Sequence, residues 1–149
     1  MLSAGSAKDA AERVPFVLDA SAVLPLLLSD AQPARELLEH FRSGEVAVVP
    51  GLFVVELANV LVTAVRRGRH RKATVLAQLR RFAKLPIDIR SEPLPPDRLV
   101  SLAILRGLTA YDASYLELAR SSGLALATAD AALARAAAAD NVELVIPLQ

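Results

Sequence analysis

Short runs made almost wholly of apolar residues recur along the chain, separated by segments with helical spacing. Val14-Pro-Phe-Val-Leu18, Val46-Ala-Val-Val49 and Leu124-Ala-Leu-Ala-Thr128 are the clearest runs. A strand with one face in water alternates polar and apolar residues; these do not, so both of their faces must be covered. Between them lie helical segments. Ala22 to Leu28 is interrupted by Pro25, and Asp30 to Phe41 carries Ala34, Leu37, Leu38 and Phe41 on one stripe. Leu52 to Arg67 stops at Gly68, Arg69 to Ala83 follows, and Pro95-Pro96-Asp97 opens a helix from Arg98 to Arg106. Tyr111 to Ser121 ends at Gly123, and Asp130 to Ala139 is Ala-rich. Ile87 to Arg90 and Val142 to Ile146 read as further short strands. The alternation predicts an α/β fold whose central, mostly parallel sheet of four to five strands is covered on both faces.

Length and composition set the limits of this reading. At 149 residues the chain suits one domain, over 14–149, that buries about two-thirds of its unfolded surface. Residues 1–13 read as a loose N-terminal arm. With 54% hydrophobic and 22% charged residues, a disordered or tail-like protein is excluded. The absence of cysteine removes disulfides, zinc–thiolate sites, iron–sulfur clusters and thiol catalysis. The uncharged stretch from Leu57 to Val65 is far too short to cross a bilayer. The first residues lack the apolar stretch of a signal peptide, so a cytoplasmic location is expected.

An acidic side chain is informative where burial would be costly. Glu56 sits in Gly51-Leu-Phe-Val-Val-Glu-Leu-Ala-Asn-Val-Leu-Val62, sharing its helical face with Leu52, Phe53, Asn59, Val60 and Thr63. No Lys or Arg lies within four residues of it. Such a carboxylate either bonds to neighbouring backbone or holds a cation. Asp112 falls in the first turn of its helix, where it complements the dipole. Asp19 and Asp130 follow the first and a late strand, and each taken singly could be a helix N-cap. In parallel sheets, however, ligands bind beyond the carboxyl ends of the strands, which is where these two belong. Ser21 and Thr128, each two residues from an Asp, could cap helices or hold a water on a metal ion.

Considered together, the four acids point to metal chemistry. If they converge, each like-charge pair at about 5 Å costs roughly 3 kcal/mol at an effective dielectric of about 20. A hard divalent cation cancels that charge. Oxygen ligation with no cysteine and only two histidines selects Mg²⁺, with Mn²⁺ also suitable, over zinc. Such an ion lowers the pKa of its water, and a pair of ions braces both oxygens of a phosphodiester. Competing chemistries lack their signatures: there is neither a Gly-x-x-x-x-Gly-Lys-Ser/Thr loop nor a Gly-x-Gly-x-x-Gly turn. His40 and His70 lie far from the acid-bearing strand ends and are expected at the surface. Aromatics amount to 4% with no Trp, so base-stacking platforms are poorly supplied.

The near-neutral net charge of +1 conceals an uneven layout. No acid lies between Glu56 and Asp88, whereas Arg66, Arg67, Arg69, Arg71, Lys72, Arg80, Arg81 and Lys84 all do. Alone, this window reads as a solvated helical hairpin. Beside a phosphate-directed site it reads as a track for a polyanion, led by Arg66, Arg67, Arg69, Arg71 and Lys72.

Four segments resemble one family. Phe16-Val-Leu-Asp-Ala-Ser-Ala-Val-Leu24, Val55-Glu-Leu-Ala-Asn-Val-Leu61, Leu108-Thr-Ala-Tyr-Asp-Ala-Ser-Tyr-Leu-Glu-Leu-Ala119 and Leu126-Ala-Thr-Ala-Asp-Ala-Ala-Leu133 resemble, in order, the motifs of PIN-domain ribonucleases, and most of all the VapC-type toxins of toxin–antitoxin pairs. The likeness runs from about Val14 to Ile146. It implies a three-layer α/β/α fold with the family's acidic quartet on Asp19, Glu56, Asp112 and Asp130, and Ser21 and Thr128 as polar neighbours. It also implies a Mg²⁺- or Mn²⁺-dependent endoribonuclease acting on RNA, usually a homodimer and neutralised by a cognate VapB-like antitoxin. Two departures stand out. Ala131 and Ala132 follow the last Asp where family members often carry Lys or Arg, and the arm before Val14 is longer than usual. A PIN-like nuclease of RNA maturation or repair, and a non-catalytic RNA- or protein-binding module, are the alternative readings.

Overall fold

The computed structural model describes residues 14–29 and 31–146. The expected arm at 1–13 lies outside the described residues. Strand β1 (Phe16–Leu18) leads through a 3₁₀ turn (Ala20–Ala22) into α1 (Val23–Leu28) and α2 (Gln32–Arg42). Then come β2 (Ala47–Pro50), α3 (Phe53–Arg66), α4 (Lys72–Phe82) and β3 (Ile87–Arg90). The chain closes with α5 (Pro96–Arg106), α6 (Ala110–Ser122), β4 (Ala125–Ala127) and α7 (Ala131–Ala139).

The sheet has the order β3-β2-β1-β4, and all its pairings are parallel. Phe16 faces Ala47 on one side and Ala125 on the other. The purely apolar runs are the inner strands: β1 and β2 are buried throughout. The outer strand β3 is largely exposed and carries Asp88 and Arg90, charges that blunt an edge. Helices flank the sheet. α1 packs on α2, α3 and α4, while α6 lies against β1, β2 and β4 with α5 and α7 beside it. Residues Ala113 to Ala119 of α6 are all buried, which accounts for its lack of a polar stripe.

The last expected strand is reduced to a single bridge, Leu126 to Leu144. Its two hydrogen bonds, Leu126 N–H to the Glu143 carbonyl at 2.8 Å and Val145 N–H to the Leu126 carbonyl at 3.0 Å, surround one residue of the very short β4. The expected helix from Arg69 also starts later. Gly68, at φ +68° in the left-handed region that favours glycine, turns the chain, and Arg71 is extended, so helical geometry resumes only at Lys72.

The strand order positions the site. From β1 the chain steps outward to β2 and β3, then returns to the opposite side of β1 as β4. The order therefore reverses between β1 and β4, and a crevice opens beyond their carboxyl ends. Asp19 is the first residue beyond β1 and Thr128 the first beyond β4. The Asp19 N–H bonds to the Ala127 carbonyl at 2.9 Å, tying the two strand ends together.

Candidate active site at the strand ends

Asp19 stands where the capping reading would put it, but two side-chain hydroxyls engage its carboxylate. It is 3% exposed, and its Oδ2 accepts from the Ser21 hydroxyl at 2.5 Å and the Thr128 hydroxyl at 2.7 Å. Each hydroxyl is oriented in turn by a backbone donor. Ala129 N–H donates to Ser21 Oγ at 3.0 Å and Asp130 N–H to Thr128 Oγ1 at 3.0 Å. Ser21 and Thr128 thus fix the carboxylate from two loops. Burial outweighs these bonds and raises the Asp19 pKa above the ordinary carboxylate range.

Asp130 does serve as an N-cap: its Oδ1 accepts from the Leu133 N–H at 2.8 Å at the start of α7. The cap holds the side chain at the crevice. Asp112 is set by a different device. Thr109 caps α6, its Oγ1 accepting from the Asp112 N–H at 3.1 Å. The helix thus begins with Asp112 already in place.

Glu56 lies in the first turn of α3, half-buried. It bonds to a side chain, the Tyr115 hydroxyl, which donates to Oε2 at 3.2 Å. Its other oxygen, Oε1, is buried and has no hydrogen-bond partner among the described residues. Burial again leads in raising the pKa of Glu56, and the negative charges of Asp19 and Asp112 add to it. Asp112 is raised by burial and then by Asp19 and Asp130. Tyr115, fully buried, has its hydroxyl pKa driven far upward by burial and by the charges of Glu56 and Asp19, so it stays a hydrogen-bond donor.

The four acids therefore act on one another at a single end of the sheet. Glu56 and Asp112 line one cavity of about 520 Å³ with Val55, Asn59, Thr109 and Tyr111, while Asp19 follows the end of β1 and Asp130 caps α7 just after β4. Among the described residues, no group of three or more His, Cys, Asp or Glu side chains is drawn together closely enough to hold a metal ion as it stands. In kind, though not in closeness, the donors suit a hard cation: all are oxygens, three carboxylates are pushed toward neutrality, and one buried carboxylate oxygen has no hydrogen-bond partner among the described residues.

Sequence reasoning passed over Tyr115. It reads as one more core residue of α6, and only its hydroxyl, three residues from Asp112 on the same helical face, hinted at a polar partner. The basic residues stand apart from the acids. Arg66 ends α3, Arg67, Arg69 and Arg71 form the α3–α4 corner, and Lys72 begins α4, all of them exposed. Ten residues of helix put Arg66 about 15 Å along α3 from Glu56. His40 is half-buried rather than on the open surface, its Nδ1 2.9 Å from Glu45 and its ring against Phe16. His70 is likewise half-buried at the α3–α4 corner.

Comparison with known proteins places this geometry. The PIN domain family model matches residues 16–139. Exonuclease VapC9 of Pyrobaculum aerophilum is 32% identical over 134 residues, spanning 89% of this chain and 94% of that protein. Ribonuclease VapC9 of Mycobacterium tuberculosis is 34% identical over 132 residues, spanning 89% of this chain and 98% of the relative. The crystal structure of PAE2754 from Pyrobaculum aerophilum superposes with a TM-score of 0.64 at 31% identity, covering 83% of this chain and 86% of the other. Its parallel sheet, its acids at the strand ends and these relatives agree: the chain belongs to the PIN domain family, among proteins of the VapC type.

Proposed function

We propose that this chain is a divalent-metal-dependent endoribonuclease, the toxin of a toxin–antitoxin pair, with Asp19, Glu56, Asp112 and Asp130 as the residues that hold Mg²⁺ or Mn²⁺. The carrying observation is the buried, unpartnered Glu56 Oε1 beside Asp112 and Asp19, whose carboxyls are also kept from ionising easily. An uncompensated arrangement of this kind costs stability, and a bound cation relieves it. When bound, such an ion supplies an acidified water and neutralises charge on the phosphodiester. Ser21 and Thr128 keep Asp19 oriented, and Tyr115 keeps Glu56 oriented. Arg66, Arg67, Arg69, Arg71 and Lys72 draw the RNA backbone by charge, without reading sequence.

The cavity lined by Glu56 and Asp112 adjoins a second one through Tyr111, and this room beside the acids supports cleavage within a chain. The names of the relatives include both ribonuclease and exonuclease, and a circular RNA separates the modes because it offers no end. Exposed Val100, Ile104 and Leu105 on α5, together with the apolar α3–α4 groove at Val62 and Leu76, support a homodimer and a VapB-like antitoxin as partners. No described helix is long and apolar enough to cross a membrane, and the proposal places the protein in the cytoplasm. Residues 14–149 act in it as one domain. Purified protein is expected to cut circular single-stranded RNA with Mn²⁺ and not in chelator; inertness under both conditions overturns the proposal.

A further inference from the structure

The chain has six aromatic residues, and five are packed away: Phe16, Phe41, Phe53, Phe82 and Tyr115 are each at most 6% exposed. Tyr111 is 64% exposed. A lone exposed apolar residue is ordinary, but this one has a particular place. It precedes Asp112 in the first turn of α6, and its carbonyl accepts from the Ser114 hydroxyl at 2.6 Å. Tyr111 is also shared between the acid-lined cavity and a second cavity of about 530 Å³. That second cavity is bounded by Gly51, Leu52, Arg90, Glu92 and Leu99. Its volume falls within the range of about 300–1,000 Å³ typical of small-ligand sites. Its wall is mainly apolar, with Arg90, held by Asp88 at 2.8 Å, and Glu92 as polar groups near the rim.

From this juxtaposition we infer that Tyr111 is the stacking platform for one unpaired nucleobase next to the scissile phosphate, and that the adjoining cavity receives that base. The inference rests on the nuclease reading above. A strand whose phosphate lies over Asp112 carries its neighbouring base within reach of a ring fixed one residue away. An aromatic face accepts any base, while Arg90 and Glu92 offer a donor and an acceptor to its edge. The base must leave its own stack to enter, so the substrate is single-stranded at the cut. Tyr111 is thus a specificity residue and not one of the groups that act on the phosphate.

The test compares wild type, Tyr111→Phe and Tyr111→Ala, all full-length and with Mn²⁺, on single-stranded oligoribonucleotides that are intact or abasic beside the cut. Loss of one stacked base predicts a fall in kcat/KM of roughly 5- to 150-fold for Tyr111→Ala. Tyr111→Phe should stay near wild type, and the abasic substrate should abolish the difference between wild type and Tyr111→Ala. Undiminished cleavage by Tyr111→Ala, or a loss that persists on the abasic substrate, overturns the inference. A defect confined to antitoxin binding also overturns it, in favour of a protein contact. A second readout does not need turnover. An oligonucleotide with 2-aminopurine at that position is expected to be quenched on binding Asp19→Asn protein, and not on binding the Asp19→Asn, Tyr111→Ala double variant. If wild type cuts no RNA, the nuclease reading fails, and equal fluorescence with both proteins then rejects the stacking platform as well.

Discussion

Asp112 and Glu56 show what ionised side chains do in this pocket. Both have their pKa values raised, so the folded state binds their protons more tightly than the unfolded chain does. The native state then holds more protons than the unfolded state, and metal-free stability falls as pH rises from the ordinary carboxylate range through the raised native values. Two outcomes are expected. Without metal, Asp112→Asn should melt higher than wild type at pH 7 and lose that advantage near pH 4. Mn²⁺ should raise the melting temperature of wild type more at pH 7.5 than at pH 5, since ligation needs the ionised acids; thermal scans across pH check both. Tyr115→Phe removes the only hydrogen bond on the Glu56 carboxylate among the described residues. Calorimetry should show Mn²⁺ affinity reduced about 10- to 100-fold, with the fold retained. The acids were legible in the sequence because a carboxylate amid valine and leucine is costly and so stands out. Tyr115 was not, because a buried tyrosine in an apolar helix looks the same whether or not its hydroxyl has work to do.

Among the elements, α6 ties stability to the site. Thr109 caps it, Asp112 occupies its first turn, and Gly123 at φ +65° ends it. Thr109→Ala should cost about 1 kcal/mol in urea unfolding and slow cleavage as well, because the cap also places Asp112. Further along, the buried Glu117 of α6 lies 3.6 Å from Arg98 of α5 and 3.9 Å from Arg120, and Arg120 lies 3.6 Å from Asp140 after α7. Arg106 of α5 pairs with the same Asp140. This ion network joins the three helices. The inner strands were legible as apolar runs since both their faces are covered. The segment after Asn141 was not, because its apolar pattern is strand-like while its pairing is limited to one residue of a three-residue partner.

At the scale of the molecule, charge is divided: acids at the carboxyl end of the sheet, and an exposed cationic corner between α3 and α4. The basic window was visible as a run in the sequence, but its placement was not. The glycine turn at Gly68 puts three of its arginines in a connection instead of along a helix face. If the corner follows the RNA backbone, replacing Arg69 and Arg71 with Ala should weaken binding to all single-stranded sequences alike. The slope of log K against log salt should shrink by about 0.7 for each phosphate that is no longer neutralised, as read by titration at several salt concentrations. The account as a whole stands on four carboxylates serving one cation-dependent cut. Its most direct test is cleavage of single-stranded RNA by wild type and by folded Asp19→Asn, each with Mn²⁺ and with chelator. The account predicts product only from wild type with Mn²⁺; cutting in chelator, or undiminished cutting by Asp19→Asn, contradicts it.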